Sequence, residues 1–157
     1  IGDLGGPDTV PPVITLNGDN PMNLTVGQPF NDPMATATDN IDGDLTSEIV
    51  DTGVVDTATP GTYTRTYTVS DSAGNTASVD RTVIVEADTT APVITLNGTN
   101  PMEVYLNQTY NEPGATALDN VDGDLSAGIQ ISGIVDTAIE GTYEITYSVS
   151  DSAGNST

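Results

Sequence analysis

The sequence predicts an all-β chain that folds into two tandem β-sandwich domains. Short runs rich in Thr, Val, Ile and Tyr alternate between apolar and polar residues, which is the period of a half-buried strand. Clusters of Gly, Pro, Asp and Asn separate these runs about every 8 to 12 residues, a spacing typical of a sandwich. In addition, the second half of the chain repeats the first half at an offset of 80 residues.

The repeat defines the predicted domains. Residues 12–77 match residues 92–157 without a gap, and more than half of the matched positions are identical. A period of this length is too long for a solenoid unit and suits a complete domain. We therefore expect domain 1 at residues 8–87 and domain 2 at residues 88–157, with residues 1–7 as the tail of an upstream segment.

Alternating apolar residues place the predicted strands within each repeat. Residues 22–26, 102–106 and 142–150 alternate in this way, and residues 78–86 form the closing strand of domain 1. The sequence of domain 2 has no counterpart of that last segment, so domain 2 is predicted to lack its last strand. Either the sequence is cut out of a longer protein, or a neighbouring chain supplies the strand by β-addition.

Two side chains in the longest predicted strands have expected roles. Tyr63 and Tyr143 follow the tight turn Asp-Thr-Ala-x-x-Gly-Thr, an arrangement that resembles a tyrosine corner, in which the phenol hydrogen-bonds to upstream backbone. Arg65 occupies an inward position of its strand. We expect it near an edge, with its stem packed and its guanidinium reaching water or a carboxylate.

The composition excludes several classes of partner and site. The 157 residues carry 23 acidic side chains, two arginines, and no lysine, histidine or cysteine, for a formal net charge of −21. A surface this negative repels nucleic acids and anionic lipid headgroups. The sequence also lacks a run of about 18 apolar residues, so no segment is predicted to insert into a membrane. Without sulfur or imidazole ligands, a bound metal must accept oxygen, which favours calcium.

Four motifs recur in the same order in both repeats: Pro-Val-Ile-Thr-Leu-Asn-Gly, Asp-Asn-x-Asp-Gly-Asp-Leu, Gly-Thr-Tyr and Tyr-x-Val-Ser-Asp-Ser-Ala-Gly-Asn. In this order they resemble the motifs of bacterial surface-protein Ig-like repeats, relatives of hyalin-repeat and cadherin-like modules. The resemblance implies two tandem immunoglobulin-like β-sandwich domains in a secreted or cell-surface protein of bacterial origin. Modules of this kind occur in adhesins, extracellular enzymes and filaments, so the resemblance names no ligand.

Acidic residues are concentrated in loops that such a sandwich brings to one end. The loop between the second and third strands and the final hairpin would lie beside the N-terminus of each domain. Crowded carboxylates repel one another unless their pKa values rise or a cation neutralises them, and calcium accepts Asp, Asn and backbone oxygens. The predicted metal ligands are Asp39, Asn40, Asp42, Asp44 and Asp71 in domain 1, and Asp119, Asn120, Asp122, Asp124 and Asp151 in domain 2 together with the linker residues Glu86 and Asp88.

Alternatives stay open for these loops. In domain 1, either Asp3 or Asp8 takes the place of the linker acids. Asp, Asn and Gly are also ordinary turn residues, whose side chains cap their own backbone without any metal, and the spacing is not that of an EF-hand. If calcium binds at the end facing the linker, it would clamp the two domains into a stiff rod.

The expected function is that of a non-catalytic structural or adhesive spacer whose partners are neighbouring Ig-like repeats or identical subunits. Nucleophile–base pairs, phosphate loops and histidine motifs are missing from the sequence, and two small filled sandwiches imply no cleft for a pair of catalytic carboxylates. One alternative is a subunit of an extracellular filament that is completed by strand donation from a neighbour.

A second alternative is a carbohydrate-binding accessory module of a secreted hydrolase, with surface glycans as its partners. Sugar-binding platforms usually rely on exposed aromatic rings. The sandwich cores are expected to hold Tyr63, Tyr67, Tyr143 and Tyr147, which leaves Tyr105 and Tyr110 in domain 2 as candidates.

Overall fold

The structure, a computed structural model, describes residues 6–157 and divides into two units. Unit 1 spans Ile1–Ala87 and unit 2 spans Asp88–Thr157. The upstream tail expected at residues 1–7 falls mostly on residues 1–5, which lie outside the described residues.

Strands form nearly all of the regular structure in both units, so the all-β prediction is confirmed. The only helical segments among the described residues are single 3₁₀ turns at Thr46–Glu48 and Ser126–Gly128. In residues 6–157, no helix is long and apolar enough to cross a membrane.

Unit 1 is a sandwich of two sheets. The first sheet contains β1 (Val13–Leu16), β3 (Ala35–Asp39) and β4 (Gly43–Asp44), which pair antiparallel in the order β1–β3–β4. The second sheet contains β2 (Met22–Thr25), β5 (Val50–Thr52), β6 (Gly61–Ser70) and β7 (Thr76–Glu86), in the order β2–β7–β6–β5. Within it, β7 pairs antiparallel with β6 and parallel with β2, so β7 is a central strand of its sheet.

The apolar core of unit 1 follows from the alternation that the sequence shows. Successive side chains of a strand point to opposite faces, and every second residue of the long hairpin β6–β7 is accordingly buried or half-buried. The fully or nearly buried apolar side chains of unit 1 are Leu24, Ala35, Ala37, Tyr67, Val69, Val83 and Val85.

A fully buried arginine lies within this core. Arg81 occupies an inward position of β7, and its exposed fraction is 0%. Its guanidinium donates hydrogen bonds to the backbone carbonyl oxygens of Asn17, Asp19 and Met34 and to the hydroxyl of Tyr67 at 3.3 Å. It also forms an ion pair with the carboxylate of Asp32 at 3.8 Å. Because a buried charge is costly unless it is paired and hydrogen-bonded, this network holds the segment from Asn17 to Met34 against β7.

The second arginine is also paired with carboxylates. Most of the side chain of Arg65 is covered, and its guanidinium contacts Asp32 and Asp51, as the sequence analysis expects. Since the chain has only two basic residues and both lie in unit 1, unit 2 contains no positively charged side chain.

The tyrosine corner is confirmed in both units. The hydroxyl of Tyr63 donates to the carbonyl oxygen of Thr59 at 2.7 Å. In unit 2, Tyr143 makes the matching bond to the carbonyl oxygen of Ile139 at 2.9 Å. Each phenol therefore fixes the turn that precedes it in the sequence.

Unit 2 repeats the first sheet of unit 1 but only part of the second. Its three-stranded sheet contains β8 (Val93–Leu96), β9 (Ala115–Asp119) and β10 (Gly123–Asp124), in the order β10–β9–β8. Its other sheet consists of β11 (Gln130–Ser132) paired with β12 (Thr146–Ser148). The prediction that the second sandwich lacks its last strand is therefore confirmed.

Two strands predicted for unit 2 are wrong in extent. Residues 102–106 form no strand, and of residues 142–150 only Thr146–Ser148 form one. The matching segments of unit 1 are strands because they pair with β7. A strand exists through hydrogen bonds to a neighbour, so alternation in the sequence does not produce one where the counterpart of β7 is missing.

The apolar core of unit 2 is correspondingly small. Its fully or nearly buried apolar side chains are Ala117 and Val149. The expectation that Tyr143 and Tyr147 lie in the core is wrong, because Tyr143 is 37% exposed and Tyr147 is only half-buried. In unit 1 the strand β7 pairs with β6 beside the matching tyrosines, Tyr63 and Tyr67, and covers them. No strand among residues 88–157 covers Tyr143 and Tyr147 in the same way.

We predict that Arg81→Met destabilises unit 1 by about 3–5 kcal/mol, because it leaves buried acceptors and a carboxylate without their partner. The control is Arg65→Ile, which introduces the residue that unit 2 carries at the matching position, Ile145. Its expected cost is about 1 kcal/mol or less. Urea denaturation of the full chain measures both, and equal losses for the two variants would contradict this role for Arg81.

Candidate metal centres

Each unit brings three aspartates together from distant parts of its sequence. In unit 2 they are Asp88, Asp119 and Asp151, and in unit 1 they are Asp8, Asp39 and Asp71. One carboxylate oxygen of each residue lies within 4.8 Å of the corresponding oxygens of the other two. We call these groups the unit 2 triad and the unit 1 triad.

The fold explains why the members of the unit 2 triad meet. Asp119 is the last residue of β9, Asp88 precedes β8, which pairs with β9, and Asp151 opens the hairpin that follows β12. All three side chains are buried, with exposed fractions of 6% for Asp119, 7% for Asp88 and 8% for Asp151. Three carboxylates in so little water repel one another strongly.

Turn chemistry accounts for one oxygen of Asp119 and one of Asp88. Oδ1 of Asp119 accepts the backbone N–H groups of Val121 at 2.7 Å and Asp122 at 2.8 Å. Oδ1 of Asp88 accepts the N–H of Thr90 at 3.0 Å. The Oδ2 atoms of Asp88 and Asp119 are buried and have no hydrogen-bond partner within the described residues.

The third member is held by an asparagine. Asp151 accepts the backbone N–H of Asn155 through Oδ1 and its side-chain amide through Oδ2, both at 2.8 Å. The same amide also donates to the backbone carbonyl oxygen of Asp88 at 3.3 Å. Asn155 therefore joins the hairpin to the start of the unit and orients two members of the triad.

The unit 1 triad repeats this arrangement. The Oδ2 atoms of Asp8 and Asp39 are again buried without a hydrogen-bond partner among residues 6–157. Asn75 donates to Asp71 and to the backbone carbonyl oxygen of Asp8 at 3.2 Å. Asp8 and Asp39 are half-buried, so the unit 2 triad is the more enclosed of the two.

Several predicted ligands lie in the same loops but outside the triads. Asp42 and Asp122 accept the N–H and hydroxyl of Ser72 and Ser152, with bonds of 2.7 and 2.9 Å in each unit. These bonds tie the loop after β3 in unit 1, and the loop after β9 in unit 2, to the final hairpin.

The remaining predicted ligands are used for turns or are exposed. Oδ1 of Asp44 accepts the N–H of Thr46, and Oδ1 of Asp124 accepts that of Ser126, each at 2.9 Å. The side chains of Asn40 and Asn120 are exposed and belong to neither triad. Glu86 is an exposed residue at the end of β7 in unit 1, and its carbonyl oxygen accepts the N–H of Val26.

Two features of the triads are not decided by the sequence pattern. The sequence leaves Asp3 and Asp8 as alternatives; the structure places Asp8 in the unit 1 triad, while Asp3 lies outside the described residues. The offset of 80 residues points to Asp8 because it matches Asp88. The asparagines that orient the triads were missed because an amide donor in a hairpin looks like an ordinary turn residue.

Hydrogen bonds lower the pKa of one aspartate in each triad. For Asp39, the backbone N–H groups of Asp42 and Ile41 lower the pKa against the opposing effect of burial. For Asp151, burial raises the pKa, but hydrogen bonds from Asn155 and the backbone outweigh it, and the pKa is lowered. Both carboxylates therefore remain ionised at neutral pH and keep their negative charge for a cation.

The triads have the chemistry of a site for a hard cation. The residues that would hold it are Asp88, Asp119 and Asp151 in unit 2 and their counterparts in unit 1. Calcium accepts six to eight oxygens in irregular geometry, so carboxylates supplemented by backbone carbonyls and water suit it. The free Oδ2 atoms of two aspartates in each triad are the observation that favours a cation over turn chemistry alone, because the turn hydrogen bonds of these aspartates use only Oδ1.

The comparison with protein families gives one match that covers most of the chain. The family model described as "Bacterial surface protein, Ig-like domain" matches residues 14–85 and 94–157. The two matches fall one in each unit, and they include two members of each triad but not Asp8 or Asp88, which precede the matched ranges.

Three longer proteins contain a segment similar to this chain. The pesticidal crystal protein Cry22Aa of Bacillus thuringiensis is 33% identical over 147 residues, 86% of this chain and 20% of its own length. The outer cell wall protein of Brevibacillus brevis is 29% identical over 179 residues, which are 99% of this chain and 17% of that protein. Hyalin of Strongylocentrotus purpuratus is 35% identical over 162 residues, which are 94% of this chain and 13% of that protein. This chain thus spans a fifth or less of each relative.

Among solved structures, a lipoprotein from Bacteroides thetaiotaomicron aligns with 92% of this chain and 96% of its own, at a TM-score of 0.46 and 22% sequence identity.

The lowered pKa values predict how stability depends on acid. A carboxylate whose folded pKa lies below its unfolded value contributes stability that is present above the unfolded value, about pH 4, and is lost as the pH falls through the folded value. We therefore expect Asp39 and Asp151 to sustain the stability of the chain in EDTA from pH 7 to about pH 5 and to lose that contribution below about pH 4. Urea midpoints measured across this range test the sign, and a steady rise in stability on acidification from pH 5 to pH 3 would contradict it.

Proposed function

The chain belongs to the family of bacterial surface protein Ig-like domains, and from this membership we propose that it is a non-catalytic spacer whose two domains each bind one calcium ion through their aspartate triads. Its place would be the exterior of a bacterial cell, where millimolar calcium matches the weak affinities of extracellular modules. Neighbouring Ig-like repeats would be its partners along the parent protein.

One observation carries the calcium proposal: the unit 2 triad is buried, and two of its carboxylate oxygens have no partner within the described residues. Buried polar atoms in proteins are nearly always hydrogen-bonded, and buried charges are paired or bind metals. No arginine is within this unit to neutralise the triad. A divalent cation satisfies the free oxygens and the charge at the same time.

A spacer role agrees with the small apolar core of each unit. Small domains bury apolar surface inefficiently, so ions that bind only the folded state add stability where the core cannot. In each triad the aspartates come from the start of the unit, from the end of β3 or β9 and from the final hairpin. A cation there would cross-link three segments that are distant in sequence.

Glycan binding has less support. Tyr105 is 78% exposed, but the hydroxyl of Tyr110 is committed to Glu112 and the hydroxyl of Tyr143 to the tyrosine corner. Sugar platforms usually combine several exposed rings. The one strongly exposed ring among residues 6–157 favours a spacer over an accessory module.

We predict that calcium raises the melting temperature of the chain. At a free concentration of about 100 times the dissociation constant, one bound ion adds about 2.7 kcal/mol of stability, which corresponds to a shift of about 10 °C or more in a domain of this size. Scanning calorimetry in calcium and in EDTA measures the shift. Magnesium serves as the control cation, and it should give a smaller shift because it prefers regular octahedral sites; an unchanged melting temperature in calcium would rule the proposal out.

The variant Asp119→Asn tests the unit 2 triad directly. Asparagine keeps the Oδ1 acceptor of the turn but removes the charge, so we expect calcium binding by titration calorimetry to fall from two ions per chain to one. In EDTA the variant should be at least as stable as the wild type, because it removes charge repulsion. The matched control is Asp124→Asn in the same loop, which should still bind two ions; a wild-type stoichiometry in Asp119→Asn would refute the assignment.

A further inference from the structure

One aspartate in each unit connects two members of its triad without belonging to the triad. In unit 2 this residue is Asp122, which lies in the loop between β9 and β10. Its backbone N–H donates to Oδ1 of Asp119 at 2.8 Å. Its carboxylate accepts the N–H and the hydroxyl of Ser152, the residue that follows Asp151. Asp122 therefore bonds on one side to a triad carboxylate and on the other to the neighbour of a second triad member.

Both carboxylate oxygens of Asp122 are used by Ser152. Oδ2 accepts the backbone N–H at 2.7 Å, and Oδ1 accepts the hydroxyl at 2.9 Å. Asp88 and Asp119 differ, because their Oδ2 atoms are buried and have no hydrogen-bond partner within the described residues. The contacts thus separate two kinds of aspartate in these loops: those with a free oxygen for a cation, and one whose oxygens join two segments of the protein.

Unit 1 has the same connection 80 residues earlier. The N–H of Asp42 donates to Oδ1 of Asp39 at 3.0 Å, and the carboxylate of Asp42 accepts the N–H and the hydroxyl of Ser72 at 2.7 and 2.9 Å. The glycines that follow, Gly43 and Gly123, have φ values of 76° and 74°. Glycine adopts this left-handed conformation at little cost, so the Asp-Gly pair turns the loop in the same way in both units.

Charge repulsion gives this connection a role in cation binding. Without a cation, the carboxylates of a triad repel one another, and this repulsion pushes the loop that carries Asp119 away from the hairpin that carries Asp151. The bonds between Asp122 and Ser152 oppose that separation, because hydrogen bonds to an ionised acceptor are stronger than those between neutral groups. Ligands that are already in place lose less conformational freedom when the ion arrives, so the affinity is higher.

We propose that Asp122 and Ser152 are positioning residues, which set the calcium affinity of the unit 2 triad without contacting the ion, and that Asp42 and Ser72 do the same in unit 1. The inference rests on the calcium sites of the proposed function. It gives Asp122 its role through the geometry of its hydrogen bonds to Ser152 and not through its charge. Hydrogen-bonded groups behind the metal ligands typically change metal affinity by about 10- to 100-fold.

The test uses the full chain with Asp39→Asn as its parent, so that calcium titration reports on unit 2 alone. In this parent, Asp122→Ala should weaken calcium binding about tenfold and leave one ion bound per chain. Asp122→Asn should restore most of the affinity, because its amide oxygen can accept the N–H of Ser152 and its amide N–H can donate to the serine hydroxyl. The control Asp124→Asn removes the same charge from the same loop and should bind like the parent.

A milder variant covers the case in which Asp122→Ala does not fold. Ser152→Ala removes the hydroxyl bond and keeps the backbone bond, so we expect a loss of a few-fold in affinity. Adding Ser152→Ala to Asp122→Ala should cost no further affinity, because the partner of the hydroxyl is already gone. Hydrogen exchange supplies an independent measurement: in EDTA, Asp122→Ala should lose protection in residues 120–122, and calcium should restore it.

Three outcomes would overturn the proposal. Equal calcium affinity in Asp122→Ala and the parent, with stability lowered alike in calcium and in EDTA, would show a contact that supports the fold only. A loss in Asp122→Asn as large as that in Asp122→Ala would show that the charge of Asp122 acts on the ion directly. Absence of calcium binding in both the wild type and the parent would overturn the proposed function itself, which separates that failure from the first two.

Discussion

Scarcity of positive charge is the constraint on which the rest of this structure depends. The chain has 23 acidic side chains and two arginines, and both arginines are committed to the carboxylates of Asp32 and Asp51 in unit 1. The buried acids that remain have no positively charged side chain beside them in unit 2. This shortage is why the calcium proposal looks to a cation from solution, which the free oxygens of the aspartate triads would accept.

The two units show that one sequence pattern gives different structure in different surroundings. Residues 22–25 form a strand, whereas residues 102–105 match them at the same alternating period and form none. The difference lies in β7, which supplies the hydrogen bonds for one segment and has no counterpart beside the other. In these small sandwiches the β-propensity of a segment therefore allows a strand but does not produce one. Hydrogen bonding to a neighbouring strand decides which segments become strands. Burial follows pairing, because Tyr67 is enclosed while Tyr147 remains half-buried.

The fold class, the domain repeat and the tyrosine corner could be predicted from the sequence because each depends on a local pattern.

The candidate site could be predicted only in part. The sequence indicated that Asp39 and Asp71 would meet, and likewise Asp119 and Asp151, but it could not separate them from neighbours such as Asp122. All of these residues are turn aspartates, and they differ in whether the second carboxylate oxygen is used. That depends on which backbone N–H or hydroxyl lies nearby in three dimensions. The alternation of residues 78–86 predicts their strand but does not show that Arg81 is fully buried, because burial depends on the carbonyl oxygens and the carboxylate that surround it in three dimensions.

One hairpin shows how a unit without a positively charged side chain ties its distant segments together. Asp151 belongs to the unit 2 triad, and Asn155 bonds to Asp151 and to the backbone of Asp88. The next residues, Ser156 and Thr157, pair with Ser150 and Val149. The hairpin that contributes one carboxylate of the triad is therefore also bonded to the start of the unit. A cation bound by the triad, as proposed above, would restrict both segments at once, and part of its binding free energy would offset the conformational entropy that they lose.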